Sequence, residues 1–225
     1  MTGARRADGD PPRGRLDRER VLRAAIALAD ERGMDAVTMR ELGRRLGVEA
    51  ASLYNHVAGK DDLLDGVVDV VVAQIDVPAA GAGWKDAMRR RAVSARAVFS
   101  RHPWAAALID SRVGGGSVSL SYADRVLGVL LGAGFSPGVA ANAFLTLDSY
   151  IFGFERQRAN LSLDGDADTT AAAREVLAAV PPDAYPSLVR VATEYAATPY
   201  DDAAAFAFGL ELILDGLERL LEPGS

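Results

Sequence analysis

The chain has 225 residues, 49% of them hydrophobic, and a formal net charge of -6. This length allows one large or two modest domains with an ample buried core. Because the sequence contains no cysteine, it excludes a disulfide framework, a thiol nucleophile and a thiolate metal site. No apolar run approaches the ~18 residues of a membrane-spanning helix, and the N-terminus lacks the apolar segment of a signal peptide. A cytoplasmic protein is therefore expected.

The charge is distributed unevenly along the chain. Residues 1–60 contain 12 Arg and Lys against 9 Asp and Glu, whereas the rest contains 13 against 22. This asymmetry is typical of a nucleic-acid-facing N-terminal part joined to an acidic body. Residues 1–15 are rich in Arg, Gly and Pro and predict a disordered arm. Contact of the arm with phosphates and a merely solvated tail both remain open.

From residue 16 onward the sequence has helical periodicity. Asp17 is placed to cap a first helix, and Gly33 is placed to end it. Thr38 and Glu41 have the Thr-x-x-Glu spacing of a capping box, which begins the next helix. A further helix is predicted to begin at Lys60, because the two aspartates that follow it favour the positive end of a helix dipole.

Residues 38–60 read TMRELGRRLGVEAASLYNHVAGK and predict two short helices joined by a tight turn at Gly47. Apolar residues spaced by four would hold these helices together: Leu42 and Leu46 in the first, Leu53 and Val57 in the second. Small or hydrogen-bonding side chains remain on the open face of the second helix: Ala50, Ala51, Ser52, Tyr54 and Asn55. A short, firmly held helix with such a face is typical of insertion into the major groove of DNA.

The remainder of the chain is also predicted to be helical, so the expected fold class is all-α. Residues 78–83 interrupt the pattern and predict a boundary between a helix-turn-helix domain, 16–77, and a larger helical domain, 84–222. Within the larger domain, helices are predicted over residues 84–100, 104–111, 119–131, 137–159, 187–197 and 202–221. Residues 160–183 are polar and predict a long loop with a short helix inside it.

The last predicted helix is unusually apolar. In residues 206–221, FAFGLELILDGLERLL, the polar side chains form one narrow stripe. A helix of this kind is buried on two sides, so we expect one side to pack on its own domain and the other on the same helix of a second subunit. Gly209 and Gly216 would permit a close approach of the two backbones. Burial in the centre of one larger domain is the alternative.

Two segments resemble the TetR family of bacterial transcriptional repressors: TMRELGRRLGVEAASLYNHVAGKDDLLD and the C-terminal FGLELILDGLERLL. The second, together with His-Pro-Trp at 102–104 and Gly-Phe-Ser-Pro at 134–137, is similar to the tetracycline-repressor type of C-terminal domain. The resemblance implies a homodimer that binds a palindromic operator in double-stranded DNA and is released when a small-molecule effector binds between the C-terminal helices. Domain 16–77 would then bind DNA, and domain 84–222 would bind the effector and dimerise.

The resemblance also assigns residues to the DNA contacts. Those expected to face DNA are Thr38, Arg40, Ala50, Ala51, Ser52, Tyr54, Asn55, His56 and Lys60. Because the two alanines offer only methyl groups, direct readout rests on Arg40, Ser52 and Asn55. Tyr54 and Lys60 match phosphate contacts, which position a protein without specifying sequence; a purely structural role is the alternative for these two and for His56. The dimer interface is expected at Phe206, Leu210, Ile213 and Leu217.

The effector pocket is expected to be lined by Phe99, His102, Trp104, Leu108, Phe144, Leu147, Asp148 and Ile151. Core packing is the alternative for the apolar members of this set. In tetracycline repressors a histidine at the place of His102 helps to hold a magnesium–drug chelate, and a second histidine would fall at about Ser149, where it is missing. That chelate site is therefore incomplete, and neither a metal nor another cofactor is expected. Whether His102 belongs to the pocket or to the scaffold is left open.

An enzyme is not expected. Two histidines, no cysteine, no glycine-rich phosphate loop and no Gly-x-Ser-x-Gly leave little catalytic machinery. The alternatives to a ligand-released repressor are an activator and a DNA-binding or architectural protein that responds to no ligand.

Overall fold

The computed structural model describes residues 16–77, 83–112, 116–160, 166–198 and 200–221. The predicted arm at 1–15 lies outside these residues, as does nearly all of the predicted interruption at 78–83. Among the described residues all regular structure is helical, which confirms the all-α prediction. None of the helices found there is long and apolar enough to cross a membrane.

The α-helices are α1 (Arg18–Arg32), α2 (Met39–Leu46), α3 (Ala50–Leu53), α4 (Lys60–Val72), α5 (Trp84–Arg101), α6 (Ala105–Asp110), α7 (Ser117–Gly132), α8 (Pro137–Asn160), α9 (Asp166–Ala179), α10 (Pro186–Ala197) and α11 (Asp202–Arg219). A 3-10 turn, Met34–Ala36, follows α1. The chain forms two compact units that divide between Val67 and Val68, inside α4. The domain limits at 16–77 and 84–222 stay a prediction.

The predicted caps set the helix boundaries of the first unit. The Asp17 carboxylate accepts a hydrogen bond from the backbone N–H of Arg20 at 2.8 Å, and Gly33 is the C-cap residue that follows α1. Thr38 Oγ1 accepts from the backbone N–H of Glu41 at 3.2 Å, so α2 begins where the capping residue predicts.

Burial in the first unit follows the predicted spacing, with one difference. Leu42, Leu53 and Val57 are buried, whereas Leu46, the last residue of α2, is half-buried. The apolar residues of α1 and α4 complete this core: Val21, Leu22, Ala25, Ile26, Leu28, Ala29, Leu63 and Val67.

The second unit packs α5, α7, α8 and α11 around a common core. Its largest fully buried side chains are Met88 and Phe99 from α5, Leu130 from α7, Leu147 and Ile151 from α8, and Phe206, Leu210 and Leu214 from α11. Helix α6 packs on α8, and α9 packs on α10.

The segment predicted as a loop with a short helix is more ordered than expected. Helix α9 covers Asp166–Ala179, 14 residues. Its last nine residues, AAAREVLAA, are mainly strong helix formers. Packing against α10 supplies tertiary contacts that cannot be read from the sequence of the segment.

Candidate nucleic-acid interface and internal cavity

Two glycines set the close packing of α2 against α3. Gly47 has a φ of 69°, in the left-handed region, where a residue with a Cβ is strained. A Cβ on Gly43 would lie 2.9 Å from the carbonyl oxygen of Val48 and 3.1 Å from the backbone nitrogen of Ala50. These backbone atoms leave no room for a side chain, so glycine at position 43 permits this packing of the turn.

Two of the three arginines on α2 form ion pairs with carboxylates. Arg44 binds Glu41 at 2.5 Å, and Arg32 of α1 binds the same carboxylate at 2.6 Å. The hydrogen bond from Arg44 contributes most to lowering the pKa of Glu41, to about 2. Arg45 binds Glu31 of α1 at 2.5 Å, and the third arginine, Arg40, makes no ion pair with any residue that the structure describes.

The residues predicted to face DNA all retain exposed surface. Thr38, Arg40, Ala51, Tyr54, Asn55 and Lys60 are exposed, and Ala50, Ser52 and His56 are half-buried. Helix α3 is a single turn, so Tyr54 to His56 lie in the turn that follows it and not on the helix as predicted. The side chain of Tyr54 is 55% exposed, which favours an external contact over packing of its ring against α2.

An ion pair anchors the start of α4. Arg18 donates to both carboxylate oxygens of Asp62 at 2.7 Å and to the backbone carbonyl of His56 at 3.1 Å. Asp62 also accepts from the backbone N–H of Ala58 at 2.8 Å. The hydrogen bond from Arg18, followed by that from Ala58, lowers the pKa of Asp62 to about 2. These contacts fix the segment between α3 and Lys60.

A cavity of about 580 Å³ lies within the second unit. Four of the predicted pocket residues line it: Phe99, Phe144, Asp148 and Ile151. The other four, His102, Trp104, Leu108 and Leu147, do not line it, and their assignment to the effector pocket stays a prediction.

These residues lie outside the cavity wall for local reasons. Leu147 is fully buried in the core. Along α6, Ile109 and Asp110 face the cavity in place of Leu108. His102 ends α5, and its ring lies 5.8 Å from the ring of Trp104, where the two form part of the scaffold beside α6.

The sequence reasoning missed the most distinctive residue of the cavity wall. Arg91 is 2% exposed, its Nε donates to the hydroxyl of Tyr122 at 2.6 Å, and one Nη donates to Asp148. Burial by itself would lower the pKa of the Arg91 guanidinium. The interactions with Asp148 and Tyr122 are larger in sum, so the pKa is raised. A signal was available, since Arg91 lies four residues from Ala87 and from Ala95 on the apolar stripe of α5.

Comparisons with known proteins identify this architecture. Residues 77–221 match the family of tetracyclin repressor-like C-terminal domains, and residues 21–67 match the tetR family of bacterial regulatory proteins. The chain belongs to the TetR family of DNA-binding transcriptional regulators. Members of this family are transcription factors and not enzymes.

Relatives from this family align over most of the chain. It is 31% identical to the HTH-type transcriptional repressor DrrR1 of Streptomyces coeruleorubidus, over 98% of this chain and 83% of the relative. It is 32% identical to the tetracycline repressor protein class A from transposon 1721 of Escherichia coli, over 91% of this chain and 92% of the relative. The structure of the TetR family protein ActR of Streptomyces coelicolor in complex with actinorhodin matches with a TM-score of 0.79 and 26% identity, covering 94% of this chain and all of that one.

The TetR-family chain buries part of its predicted dimer interface in its own core. Phe206 and Leu210 are 2% and 1% exposed, so they have no surface to offer a second subunit, and that assignment was wrong. Ile213 and Leu217 are half-buried.

The polar stripe of α11 faces a neighbouring helix. Glu211 accepts two hydrogen bonds from Arg89 of α5, at 2.5 and 2.8 Å. Lys85 of the same helix binds Asp215 at 2.7 Å and Glu218 at 2.6 Å. These pairs fix the rotation of α11 and bring Phe208 and Leu212, which are 70% and 58% exposed, to the surface.

The two glycines of α11 differ in their surroundings. A Cβ on Gly209 would lie 2.4 Å from the hydroxyl of Tyr150, so the close approach predicted for a partner helix is made here within the chain. A Cβ on Gly216 meets no described atom within 4 Å. Gly216 therefore lies on open surface, four residues beyond Leu212.

Proposed function

We propose that this chain is a repressor that binds a palindromic operator as a homodimer and is released from DNA by a small-molecule effector. The observation that carries the proposal is the exposed surface of residues 38–60, in which Gly43 and Gly47 permit α2 and α3 to pack closely. Arg40 is exposed on this surface and makes no ion pair within the described residues. The relative DrrR1 is named a transcriptional repressor. A protein in this role would act in the cytoplasm.

The DNA contacts divide by chemistry. Arg40 would bind a guanine in the bidentate geometry typical of major-groove readout, with Ser52 and Asn55 adding hydrogen bonds to neighbouring bases. Tyr54 and Lys60 would bind phosphates and so set the position of the unit without reading sequence.

The homodimer is supported by one face of α11. Phe208, Leu212 and Gly216 follow each other at intervals of four residues and therefore share a face of the helix. Two large, exposed apolar side chains beside a glycine are suited to close helix–helix packing. A two-fold dimer carries two copies of residues 38–60, one for each half of a palindrome.

The effector site is supported by the cavity of the second unit. Its volume of about 580 Å³ lies within the range of ~300–1,000 Å³ of small-molecule sites. Val68 and Val72 of α4 contribute to its wall, and α4 is the helix that begins at Lys60. A ligand that contacts these valines contacts the helix that leads to the DNA-binding surface.

The test of DNA recognition compares two arginines of α2. After selection of the operator from random duplexes, Arg40→Ala is expected to weaken its binding by ~1–3 kcal/mol and to relax the preference at one base pair of each half-site. Arg44→Ala removes the same charge from the same helix and serves as the control. Fluorescence anisotropy measures the affinity of both variants for operator DNA and for scrambled DNA. An equal loss for the two variants, on both DNAs, would show that Arg40 contributes only charge.

The dimer is tested by sedimentation velocity. Phe208→Glu combined with Leu212→Glu is expected to give monomers, because two carboxylates would have to be buried in the interface. Val93→Glu changes an apolar side chain of α5 that is 55% exposed and should leave the dimer intact. A dimer that persists in the double variant would exclude this face of α11.

Ligand release is tested by a thermal-shift screen followed by operator binding. A ligand at 100 times its Kd raises the free energy of unfolding by ~2.7 kcal/mol. A compound that raises Tm and also releases operator DNA would support a ligand-released repressor. A bound compound that leaves operator affinity unchanged would favour a regulator that responds to no ligand.

A further inference from the structure

The guanidinium of Arg91 is held in place from several sides. Its Nε donates to the hydroxyl of Tyr122 at 2.6 Å, and one terminal nitrogen donates to Asp148. The rings of Tyr122 and Phe144 lie 5.3 and 5.2 Å from the guanidinium carbon. Arg91 therefore has little freedom to rotate and presents its remaining donors in a fixed geometry.

One nitrogen of this guanidinium is unsatisfied. Nη1 of Arg91 is buried and has no hydrogen-bond partner among the described residues. A buried donor without an acceptor is costly, and native proteins seldom leave one without a reason. Since Arg91 lines the cavity and its other nitrogens already hold Tyr122 and Asp148, Nη1 is the donor left for a bound molecule.

The composition of the cavity wall defines the chemistry of that molecule. Three phenylalanines are among the residues that line the cavity: Phe99, Phe144 and Phe152. Its charged side chains are three arginines, Arg91, Arg112 and Arg156, against two aspartates, Asp110 and Asp148. The excess of positive charge favours an anion, and the rings favour a flat apolar body.

We propose that the cavity takes an apolar, ring-bearing organic anion whose oxygen accepts a hydrogen bond from Nη1 of Arg91. This inference rests on the proposed function, in which the cavity is the effector site. Arg91 would select acidic ligands over neutral ones of the same shape, because a charged acceptor pairs more strongly with a guanidinium than a neutral group does.

Two fluorescent probes with the same rings provide the test. 8-Anilinonaphthalene-1-sulfonate carries an anionic oxygen group, and N-phenyl-1-naphthylamine lacks it. We expect the full-length protein to bind the sulfonate about tenfold more tightly, the size of one charge-assisted hydrogen bond. Ala123→Trp, at a residue of the cavity wall, should abolish binding of both probes and so locate them in the cavity.

The matched variants address Arg91 itself. Arg91→Met is combined with Asp148→Asn so that no unpaired carboxylate is left buried. In this double variant the neutral probe should still bind, and the two probes should bind with about equal affinity. Arg90→Met removes an exposed arginine next along α5 and should keep the preference. Retention of the preference in the double variant would overturn the role of Arg91.

The outcomes separate the inference from the proposed function. The unmodified protein could bind the two probes with equal affinity and Ala123→Trp could bind neither. That result would support an effector cavity but refute the selection of anions, without any change at Arg91. Binding of both probes that survives Ala123→Trp would place them outside the cavity and count against the effector site itself.

Discussion

Replacing Gly43 by alanine tests the packing on which the DNA-binding surface depends. The new Cβ would lie 2.9, 3.1 and 3.2 Å from the oxygen of Val48 and from the nitrogen and Cα of Ala50. Alanine in a helix interior gains about 0.5–1 kcal/mol over glycine, whereas overpacking costs about 1–3 kcal/mol. All three contacts are to backbone atoms, which no rotamer change can move. We therefore expect a net loss of about 1–2 kcal/mol in the first unit.

Hydrogen exchange followed by mass spectrometry measures this effect locally. Peptides covering residues 38–57 of Gly43→Ala should exchange faster, and operator affinity should fall, because α3 can no longer sit at its native distance from α2. Gly128→Ala is the control, since Gly128 is a helical glycine whose Cβ would meet no described atom within 4 Å. Native exchange rates across 38–57 in Gly43→Ala would show that the turn accommodates a methyl group and refute the reasoning.

The remaining predictions concern pH and helix α11. Since the pKa of Asp62 is lowered from 3.8 to about 2 in the folded chain, its contribution is fully present above about pH 4 and is lost as the pH falls toward 2. The free energy of unfolding of Asp62→Asn, measured by circular dichroism, should therefore fall less steeply below about pH 4 than that of the unmodified protein. The same pH dependence in both proteins would show that the pair with Arg18 does not contribute. Gly209→Ala should lower Tm, because its methyl group would displace the hydroxyl of Tyr150, whereas Gly216→Ala should leave the fold unchanged. Equal Tm values for the two variants would contradict the packing described for α11.

Caps and short-range spacing account for what could be predicted in the first unit. Thr38 caps its helix through a residue three positions away, and Gly47 turns the chain by its own backbone conformation. The inward positions Leu42, Leu53 and Val57 follow from helical periodicity over a few residues. The length of α3 was less predictable, because one turn of helix carries too few residues for a period to show.

The cavity was predicted only in part because its wall comes from separate helices. Phe99 and Phe144, which were predicted for the effector pocket, line the cavity, whereas His102, which was drawn from a resemblance, lies outside its wall. Arg91 was missed because its charge made it look like a surface residue. Its burial depends on Tyr122 and Asp148, which are 31 and 57 residues away.

The all-helical class and the helix-turn-helix follow from the sequence, because each depends on caps, turns and periodicities within about thirty residues. The family follows from the resemblance of two segments to known members. Which face of α11 is buried depends instead on long-range packing. That face is set by pairs such as Lys85 with Asp215, which lie 130 residues apart in the chain. An apolar helix with one polar stripe offers several rotations of similar hydrophobic burial, and only the position of the opposing charges on α5 selects the one that exposes Phe208 and Leu212.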